Sequence, residues 1–218
     1  MNEQGRRILM TVAGVTIGAV GAGMMTYLNL GVDPFQVFTR GLWGRTPLDF
    51  GTFYVILNAL MLAVILVWNR HMIGLGTLIN LFGVGYILEW TRAGMAVLFP
   101  DPSPLLRGGL MAASLVILCF ASALYFTADI GVSTYDAVAL TLAARQKRVP
   151  FKYIRILTDL FCVITGWLLG ARWGYVGIGT IITAFFMGPL IAFFNRTVAQ
   201  PLRAGRAGTA ARRVQTAP

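Results

Sequence analysis

Charged residues are scarce in this chain. Of its 218 residues, 12% are charged and 57% are hydrophobic, whereas a soluble domain carries roughly 25% charged residues. A soluble fold of this length has too little interior to hide so many apolar side chains. Several apolar runs are long enough to cross the roughly 30 Å hydrocarbon core of a bilayer. The composition therefore excludes a soluble domain and predicts a polytopic membrane protein.

Cysteine and histidine are also rare. Cys119 and Cys162 both fall within apolar runs and lack the spacing of metal ligands, so we interpret them as buried thiols. His71 is the one histidine, and it lies in a predicted loop between two apolar runs. The sequence contains no phosphate-binding loop, zinc-ligand pattern or nucleophile elbow. We therefore expect neither an enzyme nor a bound metal or cofactor.

Six apolar runs have the character of transmembrane helices. They are residues 8–28, 52–67, 72–88, 110–127, 156–169 and 175–194. The second and fifth runs are short, and each contains one polar residue, Asn58 and Asp159 respectively. The sequence thus predicts an all-α polytopic membrane protein with six transmembrane helices.

The second half of the chain echoes the first. Residues 74–79 read Gly-Leu-Gly-Thr-Leu-Ile, and residues 177–182 read Gly-Ile-Gly-Thr-Ile-Ile. Leu30-Gly-Val, followed by Phe35, is matched by Ile130-Gly-Val, followed by Tyr135. Each half holds three predicted spans, and an odd number inverts the second half relative to the first. We expect two inverted three-helix repeats, residues 1–100 and 101–199, and a disordered basic tail at residues 200–218.

Basic residues are distributed unequally between the predicted loops. With a cytoplasmic N-terminus, thirteen of the eighteen Lys and Arg residues lie on the cytoplasmic side, and the other five, Arg40 among them, lie in outer loops. This bias favours a cytoplasmic position for both termini. Because orientation explains the net charge of +10, we expect no nucleic-acid binding.

A short amphipathic segment follows the first span of each half. Asp33 precedes Pro34 in the pattern of a helix N-cap and first helical residue, and Ser133 or Thr134 is expected to cap the second segment. Both segments are too short to span a bilayer. They are either interfacial props or re-entrant helices that gate a central site.

Polar residues within the spans are the main candidates for a site, because an ionisable group costs about 2.5–3.5 kcal/mol at the bilayer centre. Arg155 and Asp159 lie four residues apart on one helix face. Their equivalents in the first half are Tyr54 and Asn58, and we expect the two pairs to face each other across the repeat axis. They form either a substrate-binding site or a structural lock between helices.

Two further sets complete the candidate substrate-binding residues. Gln36 and Asp136 occupy equivalent positions in the two short segments. Thr77 and Thr180 belong to the two Gly-x-Gly-Thr motifs, and Asn80 lies one turn beyond Thr77. The glycines of these motifs serve either close helix packing or an unwound helix start whose free N–H groups bind a ligand.

Four further stretches are informative: Pro34-Phe-Gln-Val-Phe-Thr-Arg-Gly-Leu42, Gly74-Leu-Gly-Thr-Leu-Ile-Asn80, Gly166-Trp-Leu-Leu-Gly170 and Gly177-Ile-Gly-Thr180. They resemble motifs of the YczE/YitT-type integral membrane proteins. The resemblance covers residues 8–195 and implies a bacterial inner-membrane protein without indicating a substrate. This chain departs from the family at Gln36, where an acid is frequent, and at Glu89, where Asp is frequent. We interpret Glu89, Trp90 and Arg92 as an interfacial aromatic belt with a surface ion pair.

The inverted repeat and its polar residues favour one function class. We expect a small secondary transporter or permease of unknown substrate in the bacterial inner membrane. The alternative is a non-transporting accessory or substrate-capture subunit of a larger membrane complex. The expected partners are the lipid bilayer and a small molecule or ion, while a homodimer or a membrane partner protein stays open.

Overall fold

Helices make up most of the chain. The structure is a computed structural model that describes residues 2–69, 73–146, 151–171 and 175–204. The helices are α1 (Glu3–Leu28), α2 (Pro34–Trp43), α3 (Phe50–Asn69), α4 (Leu75–Leu98), α5 (Pro104–Ala128), α6 (Thr134–Arg145), α7 (Phe151–Leu168) and α8 (Ile178–Phe194). A π-helical turn, Asn195–Ala199, continues α8. No strand occurs in these described ranges, so the predicted all-α class is confirmed.

Four helices within the described ranges are long and apolar enough to cross a membrane. They are Glu3–Leu28, Phe50–Trp68, Pro104–Ala128 and Ile178–Ala204. The other two predicted spans, residues 72–88 and 156–169, fall on α4 and α7. Charged residues lower the apolar content of both helices: Glu89 and Arg92 in α4, Arg155 and Asp159 in α7. The membrane character of the chain therefore rests on four helices.

Helices α1 and α5 pack against each other through small residues at the centre of the fold. A Cβ atom on Gly14 would lie 2.8 Å from the Ala121 carbonyl oxygen, and one on Gly21 would lie 3.2 Å from that of Ser114. Contacts move backwards along α5 as they advance along α1, so the two helices are antiparallel. These contacts are also reciprocal. Ser114 lies 100 positions after Gly14, and Ala121 lies 100 positions after Gly21.

Each Gly-x-Gly-Thr motif binds the loop that follows the first helix of the other half. The Gly76 N–H donates to the Ile130 carbonyl oxygen at 2.9 Å, and the Gly179 N–H donates to that of Leu30 at 2.8 Å. The Thr77 hydroxyl donates to the Val132 carbonyl oxygen at 2.7 Å. Backbone carbonyls thus occupy these N–H groups, which supports close packing over ligand binding as the role of the glycines. We call the two loops that make these contacts, residues 29–33 and 129–133, the crossed loops.

The crossed loops share an unusual backbone path. Asn29 and Asp129 end α1 and α5 in the left-handed conformation, with φ angles of 58° and 55°. Gly31 and Gly131 follow with φ angles of 110° and 111°, which side chains other than that of glycine rarely adopt. The chain therefore turns back sharply at the same point in both halves.

Helices form at both of the predicted short segments. Asp33 caps α2 by accepting a hydrogen bond from the Gln36 N–H at 3.2 Å, and Pro34 is the first helical residue. Ser133, rather than Thr134, caps α6 by accepting from the Asp136 N–H at 3.1 Å. Helix α2 packs on α7, and α6 packs on α3 and α7. The N-cap and the packing together fix the orientation of each short helix.

The C-terminal helix extends further than the sequence predicts. Helical structure continues to Ala204, so the expected disorder is wrong for residues 200–204. Arg203 holds this end by donating to the Thr127 carbonyl oxygen at 2.9 Å and pairing with Asp129 at 3.3 Å. Residues 205–218 of the predicted tail, and His71, lie outside the described residues.

Candidate functional site

A cavity of about 130 Å³ lies where the two halves meet. Central turns of α1 and α5 form two of its sides and contribute Gly14, Gly18 and Ala121 to its lining. The first turns of α2 and α6 close it from another side. Its polar lining residues are Asp33, Gln36, Tyr54, Asn80, Ser122, Tyr125, Ser133, Tyr135, Asp136 and Arg155. We call it the central cavity.

The N-terminal ends of α2 and α6 meet at the central cavity. The rings of Phe35 and Tyr135 stack with their centroids 4.8 Å apart and their planes 12° apart. These two residues occupy equivalent positions in the halves of the chain, as the sequence echo indicates. The stack therefore joins the first turns of α2 and α6 at equivalent positions in the two halves of the chain.

A charged cluster borders the cavity. Arg155 donates from Nη1 to Asp136 Oδ1, and its Nε lies 3.3 Å from Asp159 Oδ1. Its guanidinium carbon is 4.5 Å from the centroid of the Tyr135 ring. The side chains of Arg155, Asp136 and Asp159 are 22%, 12% and 6% exposed. The predicted pair of Arg155 with Asp159 is present, and Asp136 is a second partner that helix spacing does not indicate.

Two uncharged hydroxyl groups also donate hydrogen bonds to the carboxylates of Asp136 and Asp159. The Tyr135 hydroxyl donates to Asp159 Oδ1, and the Ser133 hydroxyl donates to Asp136 Oδ2. Hydrogen bonds to an ionised group are about twice as strong as neutral ones. The cluster therefore holds Arg155 and the first turn of α6 in one arrangement.

Asn58 does not face Asp159 as the repeat suggests. Its side chain accepts a hydrogen bond from the Thr134 hydroxyl and donates to the Tyr54 carbonyl oxygen at 2.8 Å. Asp159 instead bonds Tyr135, the next residue along α6. Asn58 and Asp159 thus both anchor the first turn of α6, from α3 and from α7, because α6 lies between the two helices.

The structure sorts the nine predicted site residues into three groups. Five line the central cavity: Gln36, Tyr54, Asn80, Asp136 and Arg155. Two lie behind that lining and bond to it or to its neighbours: Asn58 and Asp159. Two pack against the crossed loops: Thr77 and Thr180. The last pair does not line the cavity, and the hydroxyls of both residues donate to backbone carbonyls.

Gln36 and Asp33 line the cavity side by side. Gln36 is 4% exposed, and its Oε1 has no hydrogen-bond partner in the described part of the chain. Asp33 is half-buried beside it. Burial raises the pKa of Asp33 to about 6, although the hydrogen bond from the Gln36 N–H lowers it. Asp33, Tyr125 and Ser133 line the cavity without having been predicted as site residues, because their depth depends on tertiary packing.

A second buried ion pair connects α2 to α4. Glu89 accepts from Arg40 at 2.6 Å and from Arg92 at 2.9 Å. The Arg40 side chain is 3% exposed, and its guanidinium carbon lies 3.5 Å from the centroid of the Phe50 ring. The predicted surface pair of Glu89 with Arg92 exists, but Glu89 also neutralises an arginine that the sequence places in an outer loop.

The helices and the comparisons together define a helical membrane protein of unknown function. Residues 5–196 match the family model described as a family of unknown function, DUF6198. The chain belongs to this family. An uncharacterized protein of Haemophilus influenzae is 26% identical over 199 residues, which cover 90% of this chain and 87% of that protein.

The resemblance to YczE-type proteins is also confirmed. The uncharacterized membrane protein YczE of Bacillus subtilis is 22% identical over 182 residues, which cover 83% of this chain and 81% of that protein. No solved structure matches the chain. The family is therefore established, while the function has to be argued from the site.

Proposed function

We propose that the protein is a small secondary transporter or permease of the bacterial inner membrane, with both termini in the cytoplasm. Its six transmembrane helices form two inverted three-helix repeats. The observation that carries the proposal is the charged central cavity at the Phe35–Tyr135 stack, where equivalent residues of the two halves meet. Many secondary transporters bind their substrates at such an interface of inverted repeats.

Reciprocal contacts support the inverted arrangement. The packing of Gly14 with Ala121 is matched by that of Gly21 with Ser114, and each crossed loop has its counterpart in the other half. The 24 residues of α4 and the 18 residues of α7 extend about 36 Å and 27 Å at 1.5 Å per residue. Both lengths suit a hydrocarbon core of roughly 30 Å. In α7, the pairing of Arg155 with Asp159 lowers the cost of placing charge there.

The short helices are best explained as re-entrant segments. Helices α2 and α6 have 10 and 12 residues, which corresponds to about 15 Å and 18 Å, or half a bilayer. Each begins at the central cavity. Such non-spanning backbone is tolerated at membrane depth where protein buries it or where it lines a cavity. In this arrangement each short helix closes one side of the cavity, and its displacement opens that side.

Opposite orientation of the two repeats can be tested with reporter fusions. A topology reporter fused after Trp43, at the end of α2, is expected to report the periplasm. One fused after Gln146, at the end of α6, is expected to report the cytoplasm. Expression level is controlled by an internal tag common to both fusions. The same side for both reporters would replace the inverted arrangement by a parallel one.

Access to the cavity from both sides is the test of transport that needs no known substrate. Gln36→Cys, made with Cys119→Ala and Cys162→Ala, places one thiol at the cavity. We expect a membrane-impermeant thiol reagent to label it in right-side-out and in inside-out vesicles. The control is Ala139→Cys in the same background, since Ala139 is 0% exposed and does not line the cavity. Labelling from one side alone would contradict transport and favour the substrate-capture subunit.

A further inference from the structure

We propose that the central cavity binds a small organic cation, namely a protonated amine or a quaternary ammonium ion. The inference gives a substrate class to the site of the proposed function and in that sense rests on it. Binding to the cavity is nevertheless measured separately from passage across the membrane, so the two proposals succeed or fail independently.

The charge around the cavity is the first argument. Asp33 and Asp136 line the cavity, and Asp159 lies behind it in contact with Arg155 and Tyr135. Arg155 is the one basic side chain among the described lining residues. Three carboxyl groups therefore surround a single guanidinium, and this excess of carboxyl groups favours a cationic ligand. An interior of low dielectric strengthens the attraction for that cation.

The unpartnered oxygen of Gln36 is the second argument, and it is independent of the charge. Gln36 lines the cavity and is 4% exposed, yet its Oε1 accepts no hydrogen bond from the described residues. A buried acceptor without a partner costs about 1–3 kcal/mol. An N–H or hydroxyl group of a ligand would remove this cost, whereas an anion would add a second acceptor beside it.

The aromatic lining is the third argument, and it favours an organic cation over a metal ion. Phe35, Tyr54, Tyr125, Phe126 and Tyr135 all line the cavity. Ring faces bind ammonium groups through cation–π attraction, and the Tyr135 ring already receives a guanidinium in this way. Within the described ranges, no group of three or more His, Cys, Asp or Glu side chains could hold a metal ion. Apolar walls formed by α1 and α5 suit the carbon atoms of an organic ligand.

The experiment compares ligands of the same shape and different charge. Choline and its uncharged carbon isostere, 3,3-dimethylbutan-1-ol, are titrated by calorimetry into the full-length protein purified in detergent, with ethanolammonium as a second cation. We expect the two cations to bind and the isostere to bind at least about tenfold more weakly, since one ion pair or charge-assisted bond is worth that much. Equal binding of choline and its isostere would overturn the proposal.

Two variants test whether the binding site is the central cavity. Gln36→Glu adds a carboxylate at the unpartnered acceptor and is expected to tighten choline binding about three- to tenfold. Gln36→Lys should abolish it. Asp101→Asn is the matched control for a change of charge, because that carboxylate is 96% exposed and lies outside the cavity lining. Unchanged choline affinity in both Gln36 variants would exclude the cavity as the site.

The outcomes separate this inference from the proposed function. Choline binding together with labelling of Gln36→Cys from one side alone would retain the cation site and reject transport. Labelling from both sides without cation binding would retain transport and reject the substrate class. If a Gln36 variant does not fold, the comparison of choline with its isostere on the wild-type protein still decides the proposal.

Discussion

Gly131→Ala is expected to lower the stability of the folded protein strongly. Gly131 has a φ angle of 111°, which costs an L-residue about 1–2 kcal/mol. A Cβ atom there would also lie 2.6 Å from the Gly74 backbone nitrogen, and overpacking costs roughly 1–3 kcal/mol more. The sum, about 2–5 kcal/mol, is a large part of the stability of a typical protein. Gly31→Ala, whose Cβ would lie 2.7 Å from the Thr180 nitrogen, should behave alike.

A matched control separates the two causes. Gly170 has a φ angle of 97°, but a Cβ atom there meets nothing within 4 Å among the described residues. Gly170→Ala should therefore lose only the conformational part, about 1–2 kcal/mol. Thermal unfolding in detergent and size-exclusion chromatography of the three variants measure the difference. If Gly131→Ala is no less stable than Gly170→Ala, the crossed loops are looser than the structure indicates.

Arg155→Gln should lower the stability by a similar amount. The change leaves Asp136 and Asp159 close together without their shared cation, and their side chains are 12% and 6% exposed. Removing one partner of a buried ion pair costs about 3–5 kcal/mol, because the other charge stays buried and unpaired. Reversible unfolding in mixed micelles, followed by tryptophan fluorescence, measures the loss of unfolding free energy.

The double variant Arg155→Gln with Asp136→Asn tests that explanation. It removes one of the two charges that Arg155→Gln leaves behind, so it should be more stable than the single variant. Arg92→Gln is the control, since Arg92 is 48% exposed in its pair with Glu89 and exposed pairs contribute about 0–1 kcal/mol. The loss of unfolding free energy in the double variant is compared with the sum of the losses in the two single variants. If the two are equal, Arg155 acts without electrostatic coupling to Asp136.

Local signals in the sequence identified the elements that lie close together along the chain. Asp33 before Pro34 predicted the start of α2, and the spacing of Arg155 and Asp159 predicted their pairing, because both depend on one helical turn. The duplication predicted which residues are equivalent. Equivalence does not specify contact, however. Hence Asn58 and Asp159 were expected to face each other, whereas the position of α6 between α3 and α7 gives each a different partner.

Depth was the information that the sequence did not carry. The charge pattern places Arg40 among the loop residues that set orientation, because such a pattern contains no information on burial. The pairing of Arg40 with Glu89, 49 residues further along the chain, depends on the tertiary fold. Asp136 reached Arg155 for the same reason, through the placement of one helix on another. Gln36 was predicted from its position opposite Asp136, but its lack of a partner is visible only in the packed structure.

The crossed loops also determine the order in which this protein can be completed. The loop after α1 bonds to Gly179, at the start of α8, so it stays unsatisfied until the last helix has been synthesised. Helices α1–α4 alone therefore cannot satisfy the loop after α1. In this respect the two halves depend on each other as the two chains of a domain-swapped dimer do. Two halves expressed as separate polypeptides should therefore regain stability only when both are present in one cell.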